Sequence, residues 1–151
     1  MRPTRWYVLV LAAAVSGAIG YVLTRAFYAD VQSPPQYAPL WLLLLAIAEA
    51  YTAQTTAGRL LGRPRTKPIN PLVVARLAAL AKASSPVGAL FAGGYAGFLG
   101  LVATRSGPPA HTDTRTAIVG VVCSVALVAA ALWLERVCRV KAPPDDPDAA
   151  N

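Results

Sequence analysis

Glu49 is the single charged residue in a long apolar run, Tyr37–Ala57, within Leu42–Leu43–Leu44–Leu45–Ala46–Ile47–Ala48–Glu49–Ala50. A carboxylate held in lipid costs about 2–3 kcal/mol on insertion scales unless it is protonated or paired. Such a group either exchanges a proton or an ion, or fixes helix packing through a charge pair. Other charged residues are at hand, two of them of opposite sign. Arg76 and Lys82 lie in the next apolar run, and Glu135 lies near the end of the last. At 1.5 Å per residue, Glu49 sits about 12 Å from the inner end of its run, Arg76 about 6 Å, Lys82 about 15 Å and Glu135 about 4–5 Å.

Glu49, Arg76, Lys82 and Glu135 are therefore candidates for a buried charge cluster in one half of a helical bundle. The functional reading is an ion or proton pathway, or a pocket for lipid headgroups. The structural reading is a charge network that fixes packing, or snorkelling of Arg76 and Lys82 to the interface. Glu135 also precedes Arg139 by four residues, the spacing of a helical surface pair. The residues alone leave these alternatives open.

The elements that must position them are four apolar runs, Trp6–Tyr28, Tyr37–Ala57, Leu72–Ala103 and Thr116–Cys138. Each has at least 20 residues, enough to cross a hydrocarbon core of about 30 Å. The chain is 56% hydrophobic and only 14% charged, against about 25% charged in a soluble domain. The expectation is an all-α polytopic membrane protein of four transmembrane helices over residues 1–140. Residues 141–151 are expected to form a disordered acidic cytoplasmic tail, since Pro143–Pro144–Asp145–Asp146–Pro147–Asp148 has nothing to bury. The third run is long, and Ser84–Ser85–Pro86 lies inside it. Either one long helix crosses, tilted or kinked near Pro86, or residues 72–83 rest at the interface.

Orientation follows from the basic residues. Arg2, Arg5, Arg59, Arg63, Arg65, Lys67, Arg136, Arg139 and Lys141 fall on one side of a four-pass arrangement, and only Arg25, Arg105 and Arg115 on the other. Positive residues stay in the cytoplasm, so both termini and the middle loop are expected inside. The net charge of +7 is thus explained at span ends beside anionic headgroups, and nucleic acid is not an expected partner. Trp6, Tyr7 and Trp133 fall at the inner boundary, and Tyr28, Tyr37 and Trp41 at the outer one, as interfacial aromatics do. Arg2 and Arg5 before an apolar run also resemble a secretory signal, but the run exceeds a signal core and an uncleaved first helix is expected.

Gly88, Ala92, Ala96 and Gly100 recur every fourth residue, with Gly93 and Gly97 beside them. Such a stripe lets helix backbones approach closely, within this bundle or against another subunit. A shorter stripe, Ala13, Ser16, Gly17 and Gly20, lies in the first run. Other signals are negative. Gly58–Arg59–Leu60–Leu61–Gly62–Arg63 lacks the ending of a phosphate loop, His111 reads as solvated in an outer loop, and Cys123 and Cys138 are too far apart on one helix to pair. No cofactor, metal site or catalytic motif is expected.

Arg2–Pro3–Thr4–Arg5, Ala48–Glu49–Ala50, Ala75–Arg76, Ala81–Lys82–Ala83–Ser84, Gly88–Ala89–Leu90–Phe91–Ala92–Gly93 and Ala131–Leu132–Trp133–Leu134–Glu135–Arg136 together carry a family resemblance over residues 1–140. The chain resembles a family of small actinobacterial membrane proteins with four helices, classed as a domain of unknown function and often encoded beside folate-biosynthesis genes. The resemblance implies an inner-membrane location and assigns no catalytic residue. Eleven Arg against three Lys suits such a high-GC origin. The functional expectation is a non-enzymatic membrane subunit or accessory factor of the cell envelope, contacting lipid and, through the third helix, a second copy or another membrane protein. The alternative is a small ion- or proton-coupled transporter built on the charged cluster.

Overall fold

The computed structural model describes residues 6–27, 37–60, 71–105 and 108–139. All regular structure among them is helical: α1, Trp6–Phe27; α2, Ala38–Leu60; α3, Pro71–Val102; and α4, Pro108–Arg139. Three are long and apolar enough to cross a membrane, over Trp6–Phe27, Leu72–Val102 and Ala110–Cys138. α2 is long enough at 23 residues, but Glu49, Thr52, Gln54, Thr55 and Thr56 make its second half more polar. The acidic tail, the first connection and most of the basic middle loop lie outside the described residues.

The bounds match the apolar runs closely except at α4. That helix begins at Pro108 rather than near Thr116, and so takes in His111, which is exposed on its first turns instead of in a loop. The reason is local: proline is tolerated in a first helical turn, where its missing N–H would have no partner in any case. α3 is one unbroken helix of 32 residues with Pro86 inside it. The segment 72–83 is therefore continuous with the rest of the helix.

α3 packs on α1 and on α4, and α4 in turn packs on α2, so the principal contacts run in the order α1–α3–α4–α2. Glycines set the α1–α3 contact. A Cβ at Gly93 would strike the Ala13 carbonyl oxygen and the Ser16 hydroxyl, and one at Gly97 would strike the Gly17 carbonyl oxygen and crowd the Tyr21 nitrogen. Gly17 and Gly20 reciprocate against the carbonyl oxygens of Gly93 and Gly94, at 3.2 and 3.0 Å. Without a hydrophobic driving force between helices in lipid, this backbone-to-backbone approach is what holds α1. Positions advance together along both helices, so α1 and α3 are parallel.

On α4 the register reverses. Gly88 of α3 faces Ser124 and Val128, whereas Tyr95 faces Gly120, so α3 and α4 are antiparallel. Leu42 and Ala46 pack with Cys123 and Leu127, and Ala53 packs with Leu134 and Cys138, which makes α2 and α4 parallel. Directions alternate along the chain, and α1 starts at the end of the bundle where α4 finishes. The Tyr95 ring stands 2.5 Å from where a Cβ on Gly120 would sit. Gly120→Ala is expected to cost about 1–3 kcal/mol by overpacking, read as a lower denaturation midpoint in detergent.

Candidate functional site

The buried stripe of α2 is Pro39, Leu42, Ala46, Glu49, Ala53 and Thr56, spaced alternately three and four residues apart. This is the seam a helix presents to its neighbours in a bundle. Glu49 occupies the middle of it and is only 1% exposed. One turn before it, Ala46 belongs to an apolar cluster with Leu42, Cys123 and Leu127, backed by Leu43 and Tyr95. One turn after it, Ala53 belongs to a second cluster with Ala81, Leu134 and Cys138, backed by Val74 and Leu77. The carboxyl is sealed between the two.

Among the described residues, neither Glu49 oxygen accepts a hydrogen bond. The Ser84 hydroxyl of α3 stands near enough to interact with the carboxyl, but not in hydrogen-bonding geometry. Ser84 and Ser85 are both buried on α3 between Ala81 and Gly88, and the Ser85 hydroxyl is also without a partner. Other hydroxyls behave differently. Thr52, one turn from Glu49, donates to the carbonyls of Ala48 and Glu49 at 2.6 and 2.9 Å, and buried Ser124 donates to the Gly120 carbonyl at 2.7 Å. Hydroxyls of helical Ser and Thr commonly satisfy themselves on the preceding turn in this way. A buried polar group without a partner costs about 1–3 kcal/mol, so Glu49 and Ser85 together mark a place where packing is held against its own preference.

The other members of the expected cluster are placed differently. Arg76 and Lys82 are exposed on α3, and neither donates to the Glu49 carboxyl. Glu135 is half-buried on α4, one residue past the fully buried Leu134. Ser84 and Ser85, which the residue pattern singled out only as the flank of a proline, are instead the polar groups that share the buried layer. Two adjacent hydroxyls directly before a proline were the available signal. Among the described residues, no three His, Cys, Asp or Glu side chains gather as a metal set. Cys123 and Cys138 are both buried free thiols within the apolar clusters.

The small-residue stripe divides between two neighbours. Gly93 and Gly97 meet α1 and Gly88 meets α4, whereas Ala96 and Gly100 are exposed and Ala92 is half-buried.

A family described as "Protein of unknown function (DUF3180)" matches residues 9–142, which takes in all four helices but for the first turn of α1. The chain belongs to this family. No curated protein and no solved structure matches it. For a DUF3180 member the match fixes kinship over nearly the whole chain and leaves function to the chemistry of the buried layer. In this DUF3180 chain the Ser84 hydroxyl stands by the buried Glu49 carboxyl, and the buried Ser85 follows Ser84 on α3.

Proposed function

We propose that the protein is a four-pass protein of the actinobacterial cytoplasmic membrane that exchanges a proton or small ion at Glu49, as the centre of a small ion-coupled carrier. The observation that carries this reading is the burial of Glu49 with both oxygens unpartnered between two apolar clusters. A purely structural carboxylate is held by a base or by several donors, since an uncompensated charge in such surroundings is strongly destabilising. Glu49 has neither arrangement. A carboxyl that takes up and releases a small cation accounts for it, and two flanking seals are what a carrier needs to keep its centre from opening to both sides at once.

α2 serves as the fourth span. Its acid faces inward, while Leu40, Trp41, Leu44, Ile47 and Tyr51 are exposed and suit lipid. Both termini and the basic middle loop lie in the cytoplasm, by the asymmetry of Lys and Arg. Exposed Trp6 near the start of α1 and exposed Trp133 near the end of α4 support this, because helix directions bring those two ends together. The reading as a non-enzymatic subunit rests on short loops, a lack of catalytic motifs and the small-residue stripe, of which Gly88, Gly93 and Gly97 meet helices of this bundle.

The test is ion flux into vesicles reconstituted with the purified full chain, driven by an imposed proton or sodium gradient. The wild-type protein is expected to carry flux above empty vesicles, and Glu49→Gln to reduce it to that background while remaining monodisperse. Flux of wild-type size in Glu49→Gln, or none in the wild type under either gradient, contradicts the reading.

A further inference from the structure

We propose that Glu49, Ser84 and Ser85 form a binding site for one dehydrated alkali cation of the sodium class. This rests on the reading of Glu49 as an ion-exchanging centre and names the ion. The two Glu49 oxygens and the Ser85 oxygen are buried and unpartnered, and the buried Ser84 hydroxyl stands beside the carboxyl. All of these are oxygen atoms with free lone pairs, the donor type that hard cations select. Elsewhere in the bundle a buried serine spends its hydroxyl on the preceding turn, as Ser124 does, but Ser85 does not.

Charge and surroundings narrow the ligand. A single carboxylate balances a single positive charge, whereas a divalent ion would leave an uncompensated charge among Leu127, Leu134 and their neighbours. A proton bound to one carboxyl oxygen leaves Ser85 as it was. A cation seated between α2 and α3 engages oxygens from both helices and joins two elements that have little direct contact and share α4 as a neighbour. The apolar clusters on either side strip the ion of its water, and the serine oxygens replace part of that shell.

The experiment uses the full chain in detergent and a hydrophobic carbodiimide, which adds to a protonated carboxyl in apolar surroundings. Labelling of Glu49 is followed by peptide mass in sodium chloride and in choline chloride at equal ionic strength and pH. At sodium about ten times the dissociation constant, the free site falls to about a tenth and labelling is expected to slow about tenfold. Ser85→Ala is expected to label as fast as the wild type in choline and to lose the protection by sodium. The comparison of salts on the wild-type protein needs no variant to fold. Equal labelling in the two salts overturns the cation site while leaving proton exchange at Glu49 standing. An absence of labelling in both salts, across the accessible pH range, overturns the site and the carrier reading together.

Discussion

Glu49→Leu is expected to raise stability in sodium-free detergent by about 1–3 kcal/mol, the penalty of an unpartnered buried polar group, and to abolish ion flux. Leucine is close to glutamate in volume and fits the seam between Ala46 and Ala53, where both neighbouring clusters are already apolar. The opposite sign follows if Glu49 is held by Arg76 or Lys82, because removing one partner of a buried pair costs about 3–5 kcal/mol. Denaturation midpoints of the two proteins decide between these. Sodium sharpens the comparison. It binds only the folded wild type, so its addition raises the wild-type midpoint and narrows the gap, with no effect on Glu49→Leu. A stable but inactive variant of this kind is the usual signature of a residue retained for function at the expense of stability.

Gly97→Ala is expected to release α1. The new Cβ meets backbone atoms of Gly17 and Tyr21 rather than flexible side-chain ends, so only a shift of the whole helix relieves it. Overpacking of this kind costs about 1–3 kcal/mol, and α1 has its principal contact with α3 alone. The loss therefore falls on one helix instead of being shared through the bundle. A disulfide cross-link engineered between α1 and α3 is expected to form readily in the wild-type background and poorly in Gly97→Ala. Gly94→Ala is the control, since nothing lies within 4 Å of a Cβ there, and it is expected to behave as wild type.

Much of this architecture was legible from the residues. The apolar runs match α1, α2 and α3 to within a few residues because each is a long apolar stretch bounded by Pro, Gly and polar residues that break helices. The start of α4 was not legible, because Ser106–Gly107–Pro108–Pro109 reads as a breaker although proline also opens helices. Glu49 stood out as a charge in an apolar context, and its burial follows from its phase on the seam shared with Leu42, Ala46 and Ala53. Depth alone placed Arg76 and Lys82 near it. Depth says nothing about the angle around α3, and both side chains turn outward. The same ambiguity hid Ser84 and Ser85, whose value depends on facing the interior. The split of the glycine stripe between α1 and α4 likewise required the order of helices in space, which no repeat along one helix encodes.

Accessibility of a single thiol tests the central claim most directly: a carboxyl sealed mid-bundle, in a chain whose middle loop faces the cytoplasm. With Cys123 and Cys138 replaced by serine, Glu49→Cys, Thr66→Cys and Ser33→Cys are each treated with a membrane-impermeant maleimide on intact cells and on inverted vesicles. The account predicts reaction of Ser33→Cys on cells and of Thr66→Cys on inverted vesicles. It also predicts that Glu49→Cys reacts from either side at a rate about ten to a thousand times slower, as for a site opened only in a minor state. Reaction of Glu49→Cys as fast as the loop positions, or of Thr66→Cys from outside the cell, would contradict it.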